Sequence, residues 1–192
     1  MSRKIFHFVR IPLVLAALIG SLTLCVDLPL SSAEKTQVEL THGTWQDVQE
    51  FIKQNPRKVV VIDAWSTSCI PCMREFPNLV KLHEKLPEKI VCVSFSCDYV
   101  GIKSKPPEFY QERVLKFLTK QKASFRNYLS TTEADTVYEE MGINSIPAVF
   151  VYGPDGKLSK KFDSESGEGG GDAEPFTYQD VTAHVEKLIA SG

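Results

Sequence analysis

Apolar and polar positions along the chain follow two periods. Lys58–Trp65 (KVVVIDAW) and Lys89–Phe95 (KIVCVSF) are nearly unbroken apolar, β-branched runs, the pattern of strands buried on both faces. Around them the spacing becomes helical. Over Thr44–Asn55, residues Trp45, Val48, Phe51 and Ile52 share one face, with Thr44 as N-cap and Asp47 three residues on. Cys69–Leu86 puts Leu79, Leu82, His83 and Leu86 on one face, and Pro77 inside it predicts a kink. Phe109–Gln121 turns Val114, Phe117 and Leu118 inward, and the helix over Thr132–Met141 stops at Gly142. A short strand is expected over Ser124–Leu129. Another, Pro147–Tyr152, joins through the Gly153–Gly156 turn to a hairpin partner, Lys157–Phe162. Ser164–Glu174 holds four Gly and four acids and reads as a surface loop. Phe176–Ala190 closes the chain as a helix. Strands alternating with helices, then a hairpin and a terminal helix, predict an α/β domain: a central mixed sheet flanked by helices on both faces.

The N-terminal stretch has a different character. Arg3, Lys4 and Arg10 precede an uncharged, mostly apolar run, Ile11–Val26, and Ser31 and Ala33 are small residues at the -3 and -1 positions of a cut after Ala33. A basic head, an apolar run and small residues at a cleavage site form a secretory signal. Residues 1–33 are therefore expected to direct export, with residues 11–26 as an anchor if uncleaved, and residues 34–192 to form the folded domain. Cys25 lacks the small preceding residue of a lipidation site, since Leu24 stands there.

Composition narrows the function classes. Apolar residues make up 43% of 192 and charged residues 24%, which suits a folded domain. A net charge of -2 gives no basic excess for nucleic acid. Five cysteines are too few for a disulfide scaffold but enough for a redox pair or a metal site.

The chemistry concentrates at Cys69-Ile-Pro-Cys72, which follows a buried strand and opens a helix. Cysteines three apart on a first helical turn can reach disulfide distance. The unpaired N–H groups and partial positive charge of a helix N-terminus favour a thiolate on Cys69, the outer thiol. Cys69 is thus the expected nucleophile and Cys72 the resolving thiol. Two acids stand where they could move protons. Asp63, in the strand, is expected to be buried with a raised pKa. Glu75, three residues after Cys72, either serves the same role or simply stabilises a helix start. Cys92 and Cys97 read as buried thiols, with a Cys92–Cys97 disulfide or a secondary redox role as alternatives. A four-cysteine zinc site fits their spacing poorly. His42, His83 and His184 form no cluster, so no metal and no cofactor is expected.

The run Trp65-Ser-Thr-Ser-Cys69-Ile-Pro-Cys72-Met-Arg-Glu75-Phe76-Pro77 resembles the active site of thioredoxin-like proteins, and within them the exported TlpA/ResA group. Met141–Lys157, with Ile146-Pro147 at its centre, is similar to that family's cis-proline strand and hairpin. The resemblance spans about Val38 to Leu188. It implies a thioredoxin-like fold, a redox disulfide between Cys69 and Cys72, and a cis Pro147 facing that pair. It also implies substrate binding by Trp65, Ile146 and Pro147, and a proton-handling role for Asp63 and Glu75. The implied activity is thiol–disulfide oxidoreduction, in the reducing direction, with client protein disulfides or thiols and a membrane or exported electron donor as partners. Ser68 and Ile70 depart from common family residues. The alternative is a non-enzymatic copper- or metal-handling module of the same fold. A peroxiredoxin is excluded, because Ile62 and Ser66 stand where its Pro and Thr are needed.

Overall fold

The computed structural model describes residues 37–163 and 176–191. The expected export segment and the glycine-rich loop over residues 164–174 lie outside the described residues. The elements are β1 (Thr41–Gly43), α1 (Trp45–Lys53), β2 (Val59–Trp65), α2 (Ile70–Lys85), β3 (Ile90–Ser96), α3 (Pro107–Gln121), β4 (Arg126–Ser130), α4 (Ala134–Met141), β5 (Ala148–Tyr152), β6 (Leu158–Phe162) and α5 (Tyr178–Ser191). Six strands form one sheet in the order β1-β4-β3-β2-β5-β6. The β1–β4, β4–β3 and β3–β2 pairings are parallel, and β2–β5 and β5–β6 are antiparallel. Strand β2 lies centrally, and all seven of its residues are buried.

The alternation of side chains along β2 divides the core. Val59, Val61 and Trp65 pack on one face with Phe76 and Leu79 of α2, Val114 and Leu118 of α3, and Val181 and Val185 of α5. Val60, Ile62 and Ala64 pack on the other with Trp45, Val48 and Ile52 of α1 and Val137 and Met141 of α4. The sheet is thus covered on both sides, which is why its central strands read as continuous apolar runs. Among the described residues, no helix is long and apolar enough to cross a membrane.

Local sequence explains the element ends. Thr44 and Asp47 form a reciprocal capping box on α1. Gly142 ends α4 with φ 64°, a left-handed conformation that glycine takes without a steric penalty. Pro77 lies inside α2, and the helix continues past it to Lys85. Its missing N–H withdraws one hydrogen bond, from the Met73 carbonyl, while packing of Phe76, Leu79 and Leu82 on both sides of it holds the helix together. Strand β1, three residues with no apolar alternation, was not foreseen; its parallel pairing with Tyr128, Leu129 and Ser130 creates it.

Candidate active site

Cys69 and Cys72 are joined by a disulfide, with their Cα atoms 5.2 Å apart. Cys69 is the N-cap of α2, in an extended conformation, so its sulfur occupies the place of an N-cap oxygen. The backbone N–H of Cys72 donates to Cys69 Sγ at 3.2 Å. Ile70 and Pro71 fill the first two helical positions, where Pro71's missing N–H costs no bond. The pair is asymmetric: Cys72 is buried, whereas Cys69 is half-exposed beside Ile70, which is 73% exposed.

Two other elements close on this helix start. The Ile146–Pro147 peptide bond is cis, and the Ile146 carbonyl oxygen lies 3.8 Å from Cys69 Sγ. This brings residues 77 positions apart in sequence together at the β5 entrance. The turn before Cys69 is held from the other side by Asp98, just after β3. Its buried carboxylate accepts from the Thr67 N–H at 2.9 Å, the Thr67 hydroxyl, the Ser96 hydroxyl at 2.7 Å and the Arg113 guanidinium at 2.5 Å. Ser66 and Ser68 are hydrogen-bonded through their hydroxyls, which tightens the same turn. Asp98 and Arg113 were not singled out from sequence. Their signal was faint: an acid directly following a buried strand, paired with a helix residue 15 positions on.

Asp63 is buried on the face of β2 that carries α2 and α5. Burial pushes its carboxyl up from the ordinary 3.8 to about 7, the hydroxyl of Tyr178 acts against that shift, and the charge of Glu75 adds to it. The Tyr178 hydroxyl donates to Asp63 Oδ2, while Oδ1 has no hydrogen-bond partner among the described residues. Burial beside Asp63 raises the Tyr178 phenol well above its usual value, so it stays a donor. Sequence reasoning passed over Tyr178. It stood on the inward stripe with Val181 and Val185, and a phenol on an apolar stripe needs a polar partner. Glu75 has a side chain 38% exposed and accepts from Asn78 Nδ2 at 3.0 Å. Its charge acts on Asp63, and the two make no hydrogen bond among the described residues.

Trp65, expected to bind substrate, is fully buried, with its ring 4.9 Å from that of Phe76 and 4.8 Å from that of Phe117. It therefore forms the floor beneath the cysteine pair, and the exposed neighbour of Cys69 is Ile70. Cys92 and Cys97 are free and buried on opposite faces of the sheet. That separation forbids the alternative Cys92–Cys97 disulfide, and among the described residues no three His, Cys, Asp or Glu side chains gather into a group that could hold a metal ion. Burial pushes both thiols upward, away from ionisation.

Several solved structures are similar to this fold. A thiol:disulfide interchange protein of Chlorobium tepidum is 18% identical, with a TM-score of 0.53 over 71% of this chain and 83% of its own. A DsbF homologue from Corynebacterium diphtheriae is also 18% identical, with a TM-score of 0.53 over 71% and 76%. A secreted disulfide oxidoreductase of Mycobacterium tuberculosis, homologous to DsbE of E. coli, is 15% identical, with a TM-score of 0.51 over 82% and 100%. At such identities the likeness is one of fold. A sequence search of curated proteins finds no match. The family model described as thioredoxin-like matches residues 55–158, from the approach to β2 through the hairpin turn, and a match over more than half the chain that carries the cysteine-capped helix makes this protein a member of the thioredoxin-like family.

Proposed function

We propose that the protein is a thiol–disulfide oxidoreductase that exchanges electrons with protein disulfides through Cys69 and Cys72. The observation that carries this reading is the disulfide seated as the N-cap of α2, with an N–H aimed at the outer sulfur. In the reducing direction, the Cys69 thiolate attacks a client disulfide and forms a mixed disulfide. The Cys72 thiolate then attacks Cys69 Sγ and expels the client as a dithiol, leaving the Cys69–Cys72 disulfide. A separate electron donor restores the dithiol. The helix-terminal N–H groups stabilise the Cys69 thiolate, both as nucleophile and as leaving group.

Within the family, the Cys-x-Pro-Cys-x-x-Glu-Phe-Pro run resembles that of the exported TlpA/ResA-type reductases and supports reading the protein as one of them. Export is supported by the signal-like residues 1–33, and one structural neighbour is itself described as secreted. Ile146 and Pro147, beside Cys69, are the proposed seat of an extended client segment; Asp63, and secondarily Glu75, handle the proton of Cys72. The test is insulin reduction by the reduced protein, set beside Cu(I) binding at equal thiol. Turnover that is lost in Cys69→Ser supports the enzyme. Tight Cu(I) binding with no insulin reduction refutes it in favour of a metal-handling module.

A further inference from the structure

The buried acid beneath the active site has its hydrogen-bond partner at the far end of the chain. Tyr178 opens α5, 115 residues after Asp63, and donates its hydroxyl to Asp63 Oδ2. The turn that carries it is fixed: the Thr177 N–H and hydroxyl each donate to Asp180 Oδ2 at 2.8 Å. The two oxygens of Asp63 are thereby made unequal. Oδ2 is occupied as an acceptor, so a proton taken up by the carboxyl resides on Oδ1, which has no partner among the described residues.

We propose that Tyr178 is a positioning residue for the exchange reaction: it holds Oδ2, fixes the carboxylate's orientation and reserves Oδ1 for the proton of the inner thiol. This rests on the oxidoreductase reading. In the resolving step the Asp63 carboxylate takes the proton from Cys72 Sγ. The Cys72 thiolate attacks Cys69 Sγ, the mixed disulfide breaks, and the client cysteine departs as a thiolate. Both electrons come from the protein's own dithiol. The proton waits on Oδ1 until the client sulfur or solvent takes it.

The other titratable groups whose charges interact with Asp63 are Glu75 from α2, Cys92 in β3 and Cys97 just beyond it. None of them is a hydrogen-bond partner of Asp63 among the described residues, so the phenol alone distinguishes its two oxygens. Glu75 and Tyr178 also line one groove of about 560 Å³ between α2 and α5, which brings solvent to the edge of the pair.

Tyr178→Phe tests the assignment, because it keeps the ring and removes the donor. Asp63 is followed by carbon-13 NMR of its side-chain carboxyl in the oxidised protein, and insulin reduction is followed from pH 5 to 9. A hydrogen bond to the charged form is lost, so the Asp63 titration should move up by about one pH unit. The acid limb of the rate profile should move with it, giving roughly tenfold slower reduction at pH 6 and convergence with wild type at high pH. A titration and an acid limb that stay where wild type has them overturn the proposal, even if the variant melts earlier. Should the variant not fold, proton NMR of the wild type decides: a slowly exchanging, downfield hydroxyl signal that disappears in Asp63→Ala is expected, and its absence overturns the proposal. If wild type itself reduces no insulin, the oxidoreductase reading falls, while the carboxyl titration still reports on the hold of Tyr178.

Discussion

Replacing Asp63 with Asn should stabilise the protein in alkaline solution and not in acid. The folded carboxyl sits at about 7, against 3.8 for an ordinary aspartate. Below pH 3.8 the acid is neutral in both folded and unfolded chains. Between 3.8 and 7 the folded state binds more protons than the unfolded one, so stability falls as pH rises and the loss is complete above 7. About three pH units correspond to roughly 4 kcal/mol across that window. Asn carries no such dependence. Its oxygen still accepts from Tyr178, but its amide leaves buried N–H donors, a cost of about 1–3 kcal/mol at every pH. The variant should therefore be about 2 kcal/mol less stable than wild type near pH 4 and about 2 kcal/mol more stable at pH 8. For a chain of this size the pH 8 advantage is roughly 4–8 °C in Tm. Thermal melts of both proteins in the disulfide form, at pH 4, 6 and 8, measure the difference. Keeping the disulfide prevents Cys69 and Cys72 from titrating, and the other carboxylates cancel between the two proteins. A difference in Tm that stays flat across the range would falsify the buried-charge argument.

The same substitution should slow disulfide reduction about tenfold or more, with Glu75→Gln affected less; the reverse ranking in a pH 5–9 rate assay would make Glu75 the proton carrier. In the reduced protein, Cys69 should alkylate at pH 6 while Cys72, buried behind it, does not, and equal labelling by mass spectrometry would contradict the assignment of the nucleophile. Cys72→Ser should accumulate Cys69-linked mixed disulfides with client proteins, recoverable by non-reducing gels of the exported fraction; their absence counts against the enzyme. Thr44→Ala should cost about 1 kcal/mol by urea unfolding through loss of the α1 capping box, with insulin reduction unchanged.

The parts of the fold that were legible from sequence are those set by short-range pattern. The runs around Val59–Trp65 and Ile90–Ser96 could only be strands buried on both faces, and the helix ends at Thr44 and Gly142 carry their own chemistry. The cysteine pair was legible for the same reason, as a strand-to-helix junction with proline at a tolerated position. What stayed hidden depends on contacts between distant segments. Strand β1 exists only because β4 offers an edge. Asp98 carries no local pattern that marks it, and its partners Thr67 and Arg113 come from other parts of the chain. Tyr178 looked like one more inward residue of a terminal helix, and Trp65, expected beside the site to bind substrate, turned out fully buried, because alternation along a strand does not say how thickly a face is covered.

The burial of Cys92 and Cys97 on opposite sides of the sheet has a practical use. Among the described residues of the reduced protein, a bulky thiol reagent meets two kinds of sulfur: the active pair, and two thiols sealed under helices on separate faces. Each sealed thiol reacts only when its own layer lifts from the sheet. Peptide-resolved labelling over time then becomes a clock for the two layers independently, Cys92 timing the departure of α2, α3 and α5, and Cys97 that of α1 and α4. Equal rates would mean that the two halves of the core open as one unit, and unequal rates would identify which helical layer comes away first.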